Sequence, residues 1–235
     1  MLNRWSKPHP TVLITGANRG LGLEFTKQYL AETWNVMACY RQNQVSKELS
    51  VLQKKYSKLK IINLDVTSAT SMEELKNNLG KSRLDLLINN AGIYSQSNRL
   101  GQLNIEDLVK VFLTNAVAPL KLSEILIENL KLGELKIIAN ISSIMGSLND
   151  NHSGGAYGYR AGKAALNMFM KTLSFDLEPL GIKVVNLHPG WVKTDMGGDK
   201  APLEIPMSVQ GMRKVIQQFS TTGSFYDYLG HKLPW

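Results

Sequence analysis

The sequence has few of the residues that cross-link a chain, bind metals or enter membranes. Its 235 residues include one cysteine, Cys39, so no disulfide can form within the chain, and the apolar run around Cys39 predicts a packed thiol. The four histidines are scattered without metal-ligand spacing, and we expect no metal site. No apolar run approaches the roughly 20 residues of a membrane span, and residues 1–10 lack the apolar stretch of a signal peptide. We therefore expect a cytoplasmic protein without a membrane partner, in which residues 1–10 are flexible.

The sequence has fewer acidic than basic residues. It contains 19 aspartates and glutamates and 27 lysines and arginines, which gives a formal net charge of +8. Such an excess occurs in proteins that bind nucleic acid, a membrane surface or a polyanionic small molecule. The basic residues are dispersed, however, and the densest group, from Lys54 to Lys60, lies where a helix should end and where cations suit its dipole. This favours a solvated face, and we expect no nucleic-acid partner.

Short apolar runs typical of strands alternate with helical runs. The predicted elements are Thr11–Thr15, Gly20–Ala31, Val36–Tyr40, Ser46–Tyr56, Ile61–Leu64, Ser71–Leu79, Leu84–Asn89, Ile105–Leu130, Leu135–Ile141, Ala156–Leu180, Ile182–Leu187 and Met207–Phe219. The alternation predicts a single α/β domain with a doubly wound parallel sheet, covered by helices on both faces. Ser71 and Glu74 fit a capping box, and Gly181 lies where a helix end favours a left-handed residue. The looser pattern of residues 194–219 predicts a flap beside the substrate.

The first predicted strand runs into a glycine-rich turn, with Gly16, Gly20 and Gly22, and then into a helix. Glycines at these positions allow a tight turn and let a diphosphate approach the backbone at the positive end of the helix. We expect a dinucleotide there, although a purely structural turn is the alternative.

The second predicted strand ends in Cys39-Tyr40-Arg41, without the acidic residue that NAD-selective enzymes carry at this point. Arg41 and Arg19 supply two guanidinium groups, which suit contacts to the 2′-phosphate of NADP(H). We therefore predict NADP(H) as the cofactor, and two solvated arginines are the alternative.

Two further groups follow predicted strands at the edge where open α/β sheets bind ligands. Asp65 comes directly after the third strand, and Asn90-Ala91-Gly92 follows the fourth. Contact with a cofactor is one interpretation of both, and turn formation is the other.

Tyr159 and Lys163 are four residues apart in a segment with helical apolar spacing, so their side chains should lie on one helix face. An ammonium beside a phenol favours the phenolate, which should lower the pKa of Tyr159 and make it a usable acid near neutral pH. Because surface helices also carry such pairs by chance, the pair alone is weak support for a catalytic role.

A proline interrupts the long predicted helix Ile105–Leu130. Pro119 lacks the N–H that would bond to the main-chain carbonyl of Asn115, so we expect that oxygen to be free. A kink that only shapes packing is the alternative.

Six motifs follow one another along nearly the whole chain: Thr15-Gly-x-x-x-Gly-x-Gly22, Asn89-Asn-Ala-Gly92, Asn115, Ser143, Tyr159-x-x-x-Lys163 and Pro189-Gly-x-Val-x-Thr194. In this order they resemble the motif series of the short-chain dehydrogenase/reductase family. The residues before Lys163 and the segment Leu233-Pro-Trp235 resemble, more narrowly, the Sniffer and C-factor-like carbonyl reductases. The resemblance implies a Rossmann fold of about seven strands and an NADPH-dependent reduction of aldehydes, ketones or quinones to alcohols.

The resemblance also implies roles for individual residues. Tyr159 protonates the forming alkoxide, Ser143 holds the carbonyl oxygen, and Lys163 binds the nicotinamide ribose. The carbonyl of Asn115 holds a water that links the lysine to solvent. The predicted catalytic residues are therefore Asn115, Ser143, Tyr159 and Lys163. The predicted cofactor-binding residues are Gly16, Asn18, Arg19, Gly20, Leu21, Gly22, Arg41, Asp65, Val66, Asn90, Ala91, Gly92, Tyr159, Lys163, Pro189, Gly190, Val192 and Thr194.

Two features depart from the family pattern. The interval from Ser143 to Tyr159 is longer than usual, which leaves Ser142 as an alternative to Ser143, and Gly162 stands where serine is common. In the family the two long helices, here Ile105–Leu130 and Ala156–Leu180, pair with those of a neighbour, which implies a homodimer or homotetramer. The alternative function is an NADP(H)-binding redox sensor or a C-factor-like signalling protein with little turnover, and the intact catalytic set argues against the sensor.

Overall fold

The computed structural model describes residues 9–41, 45–95 and 99–235. Its centre is a seven-stranded sheet in the order β3-β2-β1-β4-β5-β6-β7, in which every pair of neighbours is parallel. The strands are β1 (Thr11–Ile14), β2 (Asn35–Tyr40), β3 (Leu59–Asn63), β4 (Leu86–Asn89), β5 (Ile137–Ile141), β6 (Lys183–His188) and β7 (Ser224–Asp227). All strands therefore end at the same edge of the sheet, and the order reverses between β1 and β4.

Helices cover both faces of this sheet. They are α1 (Gly20–Ala31), α2 (Lys47–Lys55), α3 (Ala69–Leu79), α4 (Ile105–Phe112), α5 (Ala118–Ile125), α6 (Ile127–Lys131), α7 (Tyr157–Leu177) and α8 (Ile205–Gln218). Along β1, Val12 and Ile14 contact the core beneath α1, α2 and α8, whereas Leu13 contacts the core beneath α3, α5 and α7. Strands buried on both faces in this way are typical of parallel sheets, and the predicted doubly wound Rossmann fold is confirmed. Across the described ranges, no helix has both the length and the apolar character needed to cross a bilayer.

The sequence analysis missed β7 at the edge of the sheet. This strand is only four residues long, and its two aromatic residues lie between Ser224 and Asp227, so it lacks the apolar run that marked the other strands. It pairs along β6, from Val185 with Ser224 to His188 with Asp227.

The prediction of one helix over Ile105–Leu130 is confirmed as far as Ile125, because the backbone stays in the helical region where α4 passes into a π-helical turn and where that turn passes into α5. The helix breaks at Leu126, which has a φ of −99° and a ψ of 6°. The segment is divided into α4, a π-helical turn over Leu113–Val117, α5 and α6. Pro119 lies in the first turn of α5, directly after the π-helical turn. The irregularity in the helix therefore lies just before the proline, and the helical backbone continues through it.

The capping box predicted at Ser71 and Glu74 was wrong. Helix α3 begins earlier, at Ala69, and Ser68 caps it by accepting a hydrogen bond from the N–H of Ser71. The Ser71 hydroxyl instead accepts a hydrogen bond from the N–H of Asp65, and this bond fixes the turn after β3. The prediction for Gly181 is confirmed, because it has a φ of 69° after the helical end.

Candidate active site

The predicted site residues meet at the edge where the parallel strands end. The glycine-rich turn follows β1, Asn90 to Gly92 follow β4, Ser143 follows β5, and Pro189 follows β6. The reversal of strand order between β1 and β4 opens a crevice there, which is where ligands of open α/β sheets bind.

The turn after β1 requires glycine at two kinds of position. Gly16 and Gly20 have φ values of 66° and 54°, in the left-handed region. A Cβ on Gly22 would lie 2.2 Å from the carbonyl oxygen of Gly16, so the turn and the first turn of α1 are in direct backbone contact. Within the described residues, no side chain caps the start of α1 and its first turn has no acidic residue. Its N–H groups therefore suit an anion such as a diphosphate, which these residues fit.

Thr15 and Asn90 join the glycine turn to the end of β4. The side-chain nitrogen of Asn90 donates to the carbonyl oxygens of Thr15 and Gly16, at 2.8 and 3.2 Å. The hydroxyl of Thr15 accepts from the main-chain N–H groups of Asn90 and Ala91, at 3.0 and 2.9 Å. Thr15 was not among the predicted site residues, although a hydroxyl directly before the glycine turn was a signal for it.

Two predicted cofactor-binding residues of the glycine turn have partners in other segments. Arg19 pairs with Asp195 at 2.6 Å, and both side chains are about three-quarters exposed. Asn18 accepts from the N–H of Ser46 at 2.7 Å, which ties the glycine turn to the start of α2.

Asp65 forms the turn after β3. Its Oδ1 accepts from the N–H and the hydroxyl of Thr67, at 2.9 and 2.7 Å. Burial alone would raise the pKa of Asp65, but the bonds from Thr67 and the charge of Arg41 outweigh it and lower the pKa. Arg41 is exposed at the end of β2. The turn interpretation of Asp65 therefore holds, and its carboxylate and Arg41 lie near each other at adjacent strand ends.

Tyr159 lies on α7 with 9% of its surface exposed. Burial raises its pKa to about 12, a hydrogen bond from the Ser143 hydroxyl opposes the rise, and the nearby phenol of Tyr94 adds to it. The prediction that Lys163 lowers this pKa was wrong for the chain by itself. Desolvation of the phenolate dominates, so Tyr159 is held in its protonated form.

Lys163 is buried one helical turn further along α7. Its Nζ donates to the carbonyl oxygen of Ile141 at 2.7 Å and lies 5.7 Å from the centre of the Tyr159 ring. Burial lowers the pKa of Lys163 to about 8. The shared face predicted from the sequence is thus present, but both groups lie in surroundings that disfavour charge.

Asn115 reaches the site with its side chain. Its Oδ1 accepts from the N–H of Ile93 at 2.9 Å, and its Nδ2 donates to the carbonyl oxygen of Ile93 at 2.8 Å. A Cβ on Gly92 would lie 3.3 Å from Asn115 Oδ1 and 3.6 Å from Lys163 Nζ. The structure therefore brings Asn115, Lys163, Tyr159 and Ser143 together, and it adds a side-chain contact that the argument from Pro119 did not include.

The longer loop before α7 closes with three consecutive left-handed residues. Gly154, Gly155 and Ala156 have φ values of 63°, 66° and 48°. Two of the three are glycine, which adopts this conformation without strain, whereas Ala156 does not. Helix α7 begins directly after this turn, at Tyr157.

The hydroxyl groups of Ser142 and Ser143 contact different residues. The Ser142 hydroxyl donates to Asn167 Oδ1 at 2.7 Å inside the protein. The Ser143 hydroxyl contacts Tyr159 and accepts from the N–H of Met145. The geometry thus favours Ser143 over Ser142 beside the phenol.

A row of asparagines crosses the sheet directly beneath the site. Asn89, Asn140 and Asn186 occupy paired positions on β4, β5 and β6. Asn89 donates to Asn140 at 2.8 Å, Asn140 donates to Asn186 at 3.0 Å, and Asn186 donates to Asn167 of α7 at 3.3 Å. The sequence analysis did not identify this asparagine row, although one asparagine in each of three apolar strands was a visible signal.

The segment after β6 folds back beside the glycine turn. Gly190 has a φ of 84°, Val192 is buried, and the methyl of Thr194 lies 3.8 Å from the Cβ position of Gly20. The N–H of Lys193 donates to Leu203 at 2.9 Å. The first part of the predicted flap, residues 194–203, is therefore hydrogen-bonded to the residue directly before it.

Comparisons with known proteins agree with this geometry. The sequence profile of the family described as short chain dehydrogenase matches residues 10–204. A protein of Myxococcus xanthus named C-signal is 43% identical over 166 residues, which is 70% of this chain and all of that protein. The solved structure of the carbonyl reductase Sniffer of D. melanogaster superposes with a TM-score of 0.91 at 36% identity, over 97% of this chain and 100% of that one. An NADPH-bound carbonyl reductase from chicken fatty liver gives 0.90 at 38% identity, with the same coverage of both chains.

Proposed function

The chain belongs to the short-chain dehydrogenase family, whose members are oxidoreductases, and from this we propose that it reduces carbonyl groups of aldehydes, ketones or quinones to alcohols with NADPH. The observation that carries the proposal is the contact between the Ser143 hydroxyl and the buried, protonated phenol of Tyr159. Two hydroxyl groups converge there at the edge of the sheet, beside a turn that suits a diphosphate. That arrangement can hold a carbonyl oxygen and deliver a proton to it.

The cofactor in this proposal is NADPH, which supplies a hydride when bound. The glycine turn and the start of α1 would hold its diphosphate. Arg41, exposed near Asp65, and Arg19 provide positive charge where the 2′-phosphate would lie. The carbonyl reductase from chicken fatty liver, 38% identical, was solved with NADPH bound, which supports the same choice here.

Ser143 and Tyr159 have separate roles at the carbonyl group of the substrate. Ser143 donates to the carbonyl oxygen and orients it, and Tyr159 gives its proton to the oxygen as the alkoxide forms. Because an alkoxide is more basic than a phenolate, the transfer is downhill even with the pKa of Tyr159 near 12. Lys163 is buried one helical turn away, and its own pKa of about 8 makes it a proton source near neutral pH for the phenolate that remains. The water relay through the Asn115 carbonyl stays a prediction.

The test is NADPH oxidation in the presence of aromatic aldehydes, α-diketones and quinones, with Tyr159→Phe beside the wild type. We expect kcat to fall at least about 100-fold in the variant, because it lacks the general acid, while NADPH binding, followed by fluorescence, is retained. Binding of NADH, measured in the same way, should be weaker than that of NADPH. Tyr56→Phe, at the end of α2, is the matched control and should keep wild-type turnover.

A second candidate is a protein that binds NADP(H) and signals redox state with little turnover. The relative named C-signal, 43% identical, is the observation that favours it. Tight NADPH binding by the wild type without turnover of any carbonyl in the panel would support this candidate and contradict the reductase.

We also propose that the protein forms a homodimer or homotetramer through α4 and α7. These helices pack against each other through Phe112 and Phe169, whose ring centres are 6.3 Å apart. Their outer faces expose Val109, Met168 and Phe175 at 50%, 65% and 61%. An apolar strip of this kind on two adjacent helices is typical of a surface that a partner covers.

A further inference from the structure

Tyr94 lies beside the proposed proton donor and is not part of the predicted site. It follows β4, two residues beyond Gly92. Its ring centre is 4.9 Å from that of Tyr159, and the two ring planes are inclined by 40°. This spacing is within the range of favourable aromatic pairs.

Both neighbours of Tyr94 are fixed to other elements. Ile93 is held through its N–H and its carbonyl by the side chain of Asn115. The hydroxyl of Ser95 donates to Asp107 of α4 at 2.6 Å, and Ser95 is 2% exposed. Tyr94 is therefore presented from a backbone anchored on each side, so its ring is oriented in advance and binding need not order it.

Exposure distinguishes the two tyrosines. Tyr159 is 9% exposed, whereas Tyr94 retains 40% of its surface. Tyr94 covers one side of the Tyr159 ring and turns another surface of its own ring outward. Tyr94 therefore offers an exposed aromatic surface beside the phenol that would donate a proton to a carbonyl oxygen.

We propose that Tyr94 is a specificity-determining residue, whose ring stacks on flat conjugated carbonyl compounds and so favours aromatic aldehydes and quinones over aliphatic aldehydes. The inference rests on the reductase activity proposed above. An aromatic contact of this kind is worth about three- to tenfold in kcat/KM, and a saturated ring of similar size gains less because it has no π face.

The experiment compares kcat/KM for benzaldehyde and cyclohexanecarbaldehyde in the wild type and in Tyr94→Leu. We expect the variant to lose about three- to tenfold on benzaldehyde, mainly through KM, and to change little on cyclohexanecarbaldehyde. Tyr94→Phe keeps the ring and should keep the wild-type ratio. Tyr56→Leu, the same change at the end of α2, should also keep it.

An unchanged ratio in Tyr94→Leu, or an equal loss on both aldehydes, would overturn the inference. NADPH binding by the variant checks that it folds, and Tyr94→Met carries the same test if it does not. Failure of the proposed function looks different, because the wild type would then reduce neither aldehyde and both proposals would fall together.

Discussion

At the scale of single residues, Tyr159 and Lys163 lie where burial works against charge. The pKa of Tyr159 is raised to about 12 and that of Lys163 is lowered to about 8, in each case chiefly by desolvation. Their position on one face of α7 could be predicted from their separation of four residues in the sequence. Their surroundings could not, because Ile141, Ser143 and Tyr94 come from strand ends that are distant in the chain.

Replacing Lys163 should therefore stabilise the fold while removing a residue of the proposed site. Below pH 8 the lysine is charged in both the folded and the unfolded state, so the folded state carries the full penalty of burying it. A shift of the lysine pKa from 10.5 to about 8 corresponds to a burial penalty of roughly 3 kcal/mol. Loss of the hydrogen bond to Ile141 offsets about 1 kcal/mol of the gain from removing this penalty. We expect Lys163→Met to raise the free energy of unfolding by about 2 kcal/mol at neutral pH, measured by urea denaturation.

The stability difference between the wild type and Lys163→Met should depend on pH. Between pH 8 and 10.5 the folded lysine is neutral and the unfolded one is protonated, so the stability of the wild type rises with pH relative to Lys163→Met. The advantage of the variant should shrink over this range. Lys76→Met, at an exposed position on α3, should show no such trend. A constant difference from neutral pH to pH 10.5 would mean that Lys163 is not buried as described.

At the scale of elements, pattern and geometry contribute different information. Strands β1 to β6 and helices such as α1 and α7 could be placed from apolar periodicity, because their cores demand continuous apolar faces. Strand β7 and the π-helical turn before α5 could not, because a four-residue edge strand and a change of helical pitch leave no periodic signal. The asparagine row was likewise invisible to periodicity, since it depends on the register of three strands.

The asparagine row should make a large contribution to stability. Asn140 is fully buried, accepts from Asn89 and donates to Asn186 and to the carbonyl of Val185. Asn140→Ala leaves these polar groups unpaired in the core, and we expect a loss of about 3 kcal/mol in the free energy of unfolding.

Chemical denaturation of matched variants measures this loss. Asn78→Ala removes an exposed asparagine on α3 and should change the free energy of unfolding by less than about 0.5 kcal/mol. Equal small effects at both positions would show that the row contributes little and that water replaces its bonds.

At the scale of the whole molecule, the exposed faces of α4 and α7 predict association. We expect light scattering to give at least twice the 26.2 kDa mass of one chain. Met168→Glu places a charge in the proposed interface and should shift the mass to that of a single chain, because a buried unpaired carboxylate is strongly unfavourable. Val51→Glu, at a position of similar exposure on α2, is the control and should leave the mass unchanged. A wild type with the mass of one chain would contradict the proposed assembly.

The strand order also determines how the sheet can form while the chain is being synthesised. After β1 the sheet can extend outward only to β3, which is complete at residue 63. It must then restart from β4 on the other side of β1 and extend outward again. The edge of β6 consequently stays open until residue 227 has been made, and an open edge is a template for pairing with other chains. On the ribosome this half of the sheet is the last to close, so it is the half that most needs protection from neighbouring nascent chains.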